Sequence, residues 1–190
     1  MDRRRHGSPR ILRPLRVRGR TVSLRHVQES DAEFILGLRL SPGKSRFLSP
    51  VDGDVEKQRA WIRRYAESDG QAYFIVEDAA GSAIGTVRIY DAVGDSFAWG
   101  SWIMVDGAPP SSAIESALLV YQLSMDVWGF RSANLQVSEA NKSVLSFHEK
   151  FGARRTAKVG ETVHLSIGHE QVRRSLARYA RYLPEHLEIE

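Results

Sequence analysis

Apolar residues recur at helical spacing between Ser111 and Trp128, and this stretch sets the interpretation of the whole chain. Successive apolar positions fall three or four residues apart, which places them on one face of a helix. Gly129 follows the last of them, where a helix commonly ends on a residue with left-handed backbone. The apolar residues are Ile114, Ala117, Leu118, Tyr121, Met125 and Trp128.

A short strand and a second helix follow. Residues Asn134 to Ser138 alternate between polar and apolar side chains, as a half-buried strand does. Asn141 then precedes a new run of apolar residues at helical spacing, and Gly152 follows that run. Asparagine is a good N-terminal helix cap and glycine a good C-terminal one, so the sequence predicts a helix between them.

The remaining patterns predict an α/β fold with a mixed sheet. Strands are predicted at 21–25, 71–77, 83–90, 97–105, 154–158 and 162–167, and helices at 55–67 and 171–182, with another helix capped by Ser30-Asp31 and ended by Ser41-Pro42-Gly43. This order predicts a central, mostly antiparallel sheet with helices on both faces. We expect one domain at 20–182, a basic and flexible tail at 1–19, and a short C-terminal tail at 183–190.

Charge and composition narrow the classes of protein. The net charge is +4, but residues 1–20 contain eight arginines and one aspartate, a sum of +7, which leaves 4 − 7 = −3 for the rest. The expected domain is therefore slightly acidic, and we expect neither a nucleic-acid nor a membrane partner. The basic arm either contacts phosphates or an acidic partner, or is simply solvated. No signal peptide or bilayer-spanning run is evident, so a cytoplasmic location is expected.

The loop before the first of the two helices is a candidate phosphate-binding site. A helix N-terminus offers unpaired amide N–H groups and the positive end of a dipole. Pro109 and Pro110 supply no N–H, but the donors that remain are those of Ser111, Ser112, Ala113 and Ile114. The alternative is that Ser112 and Glu115 form a capping box that serves only the helix.

Two segments resemble the GCN5-related N-acetyltransferases (GNAT): 115–130, and 141–153 with its Phe147-His148-Glu149-Lys150-Phe151-Gly152 run. Together with Trp99-Gly100-Ser101-Trp102, they look most like the subset that acetylates nucleotide-linked amino sugars for surface polysaccharides. The resemblance implies a GNAT-like fold and acetyl-CoA as co-substrate. In the family, the phosphate loop usually reads Gln or Arg, two residues, Gly, one residue, then Gly or Ala. Of this pattern, only Ala113 is kept.

The resemblance also implies roles for individual residues. The backbone near Ile103 and Met104 would hold the acetyl carbonyl, Val105 would meet the pantetheine arm, and Asn141 would contact the coenzyme or only cap its helix. A bulge in this strand would fall most easily at Gly100. His148 stands where the family usually has a tyrosine that protonates the departing thiolate. It is therefore a candidate acid or base, or else a core histidine.

Acceptor recognition is expected in the 44–54 loop and the following helix, which cover the acceptor site in the family. The candidates are Arg46, Phe47 and Trp61, although each aromatic is equally suited to a core. The leading hypothesis is an enzyme that acetylates a small-molecule amine on a nucleotide-linked sugar, without a metal. A protein N-terminus or small amine is the second hypothesis, and a silent binding module is the third. A homodimer is compatible with all three.

Overall fold

The computed structural model describes residues 8–190, which form one sheet of nine strands with helices on both faces. The strands are β1 (Arg16–Arg18), β2 (Val22–His26), β3 (Ala72–Asp78), β4 (Ala83–Val93), β5 (Ser96–Met104), β6 (Ser132–Ser138), β7 (Arg154–Val159), β8 (Thr162–Gly168) and β9 (Glu188–Ile189). The helices are α1 (Ala32–Leu40), α2 (Val55–Glu67), α3 (Pro110–Tyr121), α4 (Lys142–Lys150) and α5 (His169–Arg178). None of these helices is long and apolar enough to cross a bilayer.

The strand order in the sheet is β7-β8-β6-β5-β4-β3-β2-β1-β9. Every neighbouring pair is antiparallel except β5 and β6, which run parallel. Side chains of β3 alternate between two apolar cores because successive residues of a strand point to opposite faces. Phe74 packs in the larger core with Leu118 of α3, and Ile75 packs in the smaller core with Ile35 of α1 and Ile62 of α2. The predicted mixed sheet with helices on both faces is confirmed.

The long helix after the phosphate loop is a composite. It is α-helical from Pro110 to Tyr121 and then continues as a π-helical segment at Gln122–Val127. Gly129 ends it with a φ of 85°, the left-handed conformation expected there. Apolar spacing alone does not distinguish a π turn from an α turn, so the sequence predicted one uninterrupted helix.

The start of α1 differs from the prediction that Ser30-Asp31 caps it. A 3-10 turn at Glu29–Asp31 leads into the helix, and Asp31, although at the N-cap position of α1, accepts no hydrogen bond from that helix with its side chain. Its carboxylate instead binds the Arg25 guanidinium at 2.8 Å and accepts from the Gln28 amide at 2.7 Å. The Asp31 carboxylate thus caps the 3-10 turn and pairs with β2 instead of capping α1. A local sequence pattern cannot show the Arg25 partner.

Both predicted tails contribute strands to the sheet. Within the predicted N-terminal tail, β1 pairs with β2 on one side and with β9, from the predicted C-terminal tail, on the other. Arg16 binds Glu77 at 2.6 Å, and Ile11 is buried. The sheet therefore extends beyond both ends of the predicted domain at 20–182. The N-terminal segment, which was predicted to be a flexible tail, is held because its arginines pair with carboxylates of the sheet. Residues 1–7 of the predicted tail lie outside the described part of the chain.

A buried carboxylate ties α3 to the turn between β1 and β2. The Glu115 side chain is fully buried and accepts hydrogen bonds from the Thr21 amide at 2.8 Å, the Thr21 hydroxyl at 2.5 Å and the Arg20 amide. A charged acceptor with several donors gives the stronger class of hydrogen bond. This contact fixes the helix that starts at the predicted phosphate loop.

Replacing Glu115 with glutamine is expected to lower the free energy of unfolding by about 2 kcal/mol, because the amide group turns an acceptor into a donor facing donors. Urea denaturation measures the change. The control is Glu170→Gln on α5, where the pair with Arg174 is exposed and less than about 0.5 kcal/mol is expected. Equal stability losses in the two variants would contradict the structural role of Glu115.

Candidate active site

The two parallel strands at the centre of the sheet separate partway along their length. β5 and β6 pair only at Ser96 with Ser132, Phe97 with Ala133, and Ala98 with Asn134. Beyond these pairs, β5 continues beside β4, and β6 continues beside β8. The separation opens a gap that is flanked by two backbone edges.

A β-bulge lies where β5 leaves β6. Thr86 of β4 pairs with Ile103, while Arg88 pairs with Gly100, so β5 contains one extra residue between these pairs. The strained residue is Ser101, with a φ of 47°, and its carbonyl accepts a hydrogen bond from the Thr86 hydroxyl at 2.7 Å. The bulge was predicted at Gly100, but the residue with the strained backbone is the next one, Ser101. A Cβ at Gly100 would lie 3.0 Å from the Tyr90 hydroxyl oxygen, so the glycine provides space rather than strain relief.

The pairing of β4 with β5 determines which amides face the gap. The Val105 amide donates to the Ile84 carbonyl at 2.8 Å, so Val105 points towards β4. The backbone N–H groups alternate in direction along an antiparallel ladder. The N–H of Ile103 therefore also faces β4, and the N–H of Met104 faces the gap. Of the backbone positions predicted to meet the thioester, Met104 therefore offers the accessible N–H.

Two clefts that share part of their lining occupy the gap. The outer cleft is about 420 Å³ and the inner cleft about 100 Å³. Residues shared by both clefts are Phe47, Leu48, Trp102, Asn141 and Val144. Of the predicted coenzyme contacts, Ile103, Met104, Val105, Ala113 and Asn141 line the outer cleft. The structure thus brings together residues from β5, α3 and the start of α4, as the coenzyme prediction required.

The predicted phosphate loop keeps few free amides. Pro109 occupies the N-cap position of α3, and the Ser112 amide donates to the Pro109 carbonyl at 2.9 Å. Ser112 is buried and Glu115 binds the β1–β2 turn, so the alternative of a capping box is wrong. Ser111 and Ile114 are half-buried beside the outer cleft but do not line it.

The start of α4 lies on the opposite wall of the gap. The Asn141 side chain accepts a hydrogen bond from the Val144 amide at 3.4 Å and also lines both clefts. Asn141 therefore caps the helix, as one of its two predicted roles stated, and is also placed for the other.

His148 lies at the end of the inner cleft, against aromatic rings. Its ring centroid is 5.3 Å from that of Trp99 and 6.0 Å from that of Trp102. The side chain is 3% exposed, and its Nδ1 atom is buried without a hydrogen-bond partner among residues 8–190. Burial lowers the pKa of His148 to about 4. At neutral pH the imidazole is therefore uncharged and is suited to hydrogen bonding rather than to donating the proton of an imidazolium.

A third cavity approaches the bulge from the other side of β5. This arginine cavity is about 260 Å³ and is lined by Ile35, Arg39, Ser49, Pro50, Val51, Gln58, Trp61, Tyr73, Arg88 and Ser101. Ser101 lines both the arginine cavity and the inner cleft. A molecule in the cavity and a molecule in the clefts would therefore meet at the bulge.

Neighbouring side chains fix both arginines of this cavity. The Arg88 guanidinium lies 5.2 Å from the ring centroid of Trp61 and 5.1 Å from that of Tyr90, and its Nε donates to Gln71 at 2.9 Å. Arg39 donates to the carbonyl and hydroxyl of Ser49 at 3.0 Å. No carboxylate from residues 8–190 lines the cavity, so its field favours an anion.

The predicted acceptor residues fall into three different places. Trp61 lines the arginine cavity, but Tyr65 stacks on it, Arg88 covers it and Tyr73 meets it edge-on. Phe47 lines the two clefts rather than the cavity. Arg46 is exposed over the Phe47 ring and lines none of the three spaces.

Four residues of the site were not among the predicted ones. Arg39 and Arg88 line the arginine cavity, Ser101 is the strained residue of the bulge, and Lys44 lines the outer cleft. An arginine among the apolar residues of a predicted strand was the one available signal, and it applied to Arg88 alone.

Comparisons with known proteins agree with this geometry. The family model described as an acetyltransferase (GNAT) domain matches residues 21–154. FdhC, described as a nucleotide-linked sugar GNAT, is 34% identical and superposes with a TM-score of 0.80 over 90% of this chain and 99% of its own. No curated protein sequence matches significantly.

Two more distant structures share the fold. A GCN5-related N-acetyltransferase from Brucella melitensis is 18% identical, with a TM-score of 0.77 over 95% of this chain and 90% of its own. The spermidine N-acetyltransferase from Vibrio cholerae, solved with CoA and spermine, is 14% identical, with a TM-score of 0.70 over 80% of this chain and 98% of its own. The GNAT family uses acetyl-CoA. By its family match and its 34% identical relative, this chain belongs to the GCN5-related N-acetyltransferases and is an N-acetyltransferase.

Proposed function

We propose that the enzyme transfers an acetyl group from acetyl-CoA directly to the amino group of a nucleotide-linked amino sugar, as in surface-polysaccharide synthesis. The observation that carries the proposal is the arginine cavity, whose two fixed cations, Arg39 and Arg88, stand next to the bulge. Guanidinium groups suit the diphosphate of such an acceptor because they bind phosphate oxygens in a bidentate manner. The relationship to FdhC supports the same acceptor class.

The chemistry assigned to the site needs few groups. The acceptor amine, held in the arginine cavity, attacks the thioester carbon beside Ser101. The Met104 amide donates to the carbonyl oxygen as negative charge develops there. His148, uncharged at neutral pH, donates a hydrogen bond towards the departing sulfur. As the C–N bond forms and the C–S bond breaks, the nitrogen loses its proton to solvent and coenzyme A leaves as its thiolate.

The charge of the cavity also disfavours one alternative acceptor. A polyamine would place several ammonium groups beside Arg39 and Arg88, and like charges in a confined site are strongly unfavourable. Although this chain shares its fold with the spermidine enzyme, the cavity charge therefore argues against spermidine as its acceptor.

A product assay tests the proposal. Purified enzyme with acetyl-CoA is given a nucleotide-linked amino sugar, the same amino sugar without its nucleotide, spermidine, or a peptide with a free N-terminus. Thiol release and the mass of the product are then measured. The nucleotide-linked sugar is expected to be acetylated fastest, with a kcat/KM about a hundredfold above that of the free sugar, because the diphosphate contacts are lost in the latter. Equal or faster acetylation of spermidine or the peptide would contradict the proposal.

A further inference from the structure

The outer cleft contains a single cation among the residues the structure describes. Lys44, in the loop between α1 and α2, lines this cleft together with Ala113 of α3. Its Nζ atom lies 2.8 Å from the Asp106 carboxylate, in the loop that leads to α3. The pair therefore links the α1–α2 loop, which lines the outer cleft, to the loop that leads to α3.

The phosphate loop itself is poor in donors. Pro109 and Pro110 have no N–H, and the amide of Ser112 is bonded to the Pro109 carbonyl. Coenzyme A carries a pyrophosphate and a 3′-phosphate, so its binding requires positive charge or N–H donors near this loop. The inference that follows from this shortage rests on the proposed use of acetyl-CoA: another group near the loop must supply the phosphate contacts that the missing amides do not.

We infer that Lys44 binds a phosphate group of the coenzyme and exchanges Asp106 for it on binding. The Asp106 carboxylate is readily displaced, because its side chain is 86% exposed while that of Lys44 is 24% exposed, and an ion pair with a solvated partner contributes little stability. A phosphate group offers more negative charge than one carboxylate, and a phosphate bound in the outer cleft would be within reach of Lys44, which already lines that cleft. Lysine suits this task as a mobile point charge on a flexible stem.

Because phosphate replaces Asp106 on Lys44, substitutions of Lys44 and of Asp106 should change the Kd for acetyl-CoA in opposite directions. Lys44→Met keeps the aliphatic stem but removes the charge, and we expect the Kd for acetyl-CoA to rise about tenfold. Asp106→Asn removes the competing carboxylate, and we expect the Kd to fall about twofold to threefold. The control is Lys57→Met, which breaks a Lys–Asp pair with Asp52 outside the clefts and should leave the Kd unchanged.

Calorimetric titration of the purified full chain with acetyl-CoA measures these values without relying on activity. The double variant separates direct contact from loop positioning: the Lys44→Met effect should persist in the Asp106→Asn background. Wild-type affinity in Lys44→Met, or loss of its effect in that background, would overturn the inference. If the wild type itself bound no acetyl-CoA, the proposed function would fail first, and a melting curve checks that each variant is folded.

Titration with 3′-dephospho-CoA identifies the phosphate group. If the Lys44→Met effect disappears with this ligand, Lys44 contacts the 3′-phosphate. If the effect remains, Lys44 contacts the pyrophosphate. Both outcomes support a phosphate contact, and equal binding of both ligands by the wild type and Lys44→Met excludes it.

Discussion

Between pH 6.5 and about 4, the free energy of unfolding is expected to fall by about 3 kcal/mol less in the His148→Phe variant than in the wild type. In the unfolded chain the imidazole takes up a proton as the pH falls below 6.5, whereas burial keeps the pKa of folded His148 at about 4. The unfolded state therefore binds more protons in this window, and stability is lost as the pH falls from 6.5 to about 4. At 1.36 kcal/mol per pH unit, the loss amounts to about 3 kcal/mol.

Urea denaturation of wild type and variant from pH 7.5 to 4 measures this effect as a difference, so that titrating carboxylates common to both cancel. His148→Gln is the matched second variant, because it also cannot titrate but packs differently against Trp99 and Trp102. Both variants should lose the same pH-dependent component, whatever their stability at pH 7. Parallel pH profiles for the wild type and both variants would show that the folded imidazole titrates normally.

The same variants address the proposed role of His148 in the reaction. Removing one hydrogen bond to the departing sulfur should lower kcat about tenfold in His148→Phe, with an unchanged Kd for acetyl-CoA. A larger loss, typical of full proton transfer, is not expected from an uncharged imidazole. A normal kcat would leave His148 as a core residue only.

Replacing Arg88 with methionine is expected to lower kcat/KM for a nucleotide-linked amino sugar about a hundredfold, the equivalent of about 2.7 kcal/mol. Charge-assisted hydrogen bonds to a phosphate account for this magnitude. Methionine retains an aliphatic stem between Trp61 and Tyr90, where the guanidinium now lies. Arg88→Lys should lose nearly as much, because an ammonium cannot reproduce the planar contacts to Gln71 and the rings.

Steady-state kinetics with both substrates measure this loss. The control is Arg59→Met on α2, whose guanidinium pairs with exposed Glu56 and Glu33 outside the arginine cavity, and which should keep the wild-type value. The KM for acetyl-CoA should be unchanged in both variants. If Arg88→Met slowed acetylation of the free amino sugar by the same factor, Arg88 would support the fold rather than the diphosphate.

The sequence predicted the elements whose signals are local. The helix α2 begins after Asp54, which accepts hydrogen bonds from the Glu56 and Lys57 amides, and the capped start of α4 was predicted from Asn141. Alternating apolar residues also placed β2, β6 and β8 correctly, since alternate side chains of these strands are buried in the larger core.

Features that depend on distant partners could not be predicted in this way. Arg39 and Arg88 come from α1 and β4 and meet only in the folded chain. The positive φ of Ser101 is held by a hydrogen bond from Thr86, and serine gives no sign of it in the sequence. The β1 strand was hidden because its arginines find carboxylates on β3 and at the C-terminus.

The early separation of β5 from β6 has a consequence for the fold as a whole. A sheet normally leaves unpaired backbone only at its outer borders, where it invites other strands. Here a seam of the same kind runs through the interior, lined by Met104 on one side. An extended ligand with amide groups of its own would complete the ladder across this seam, and saturating concentrations of it would then stabilise the native state by mass action.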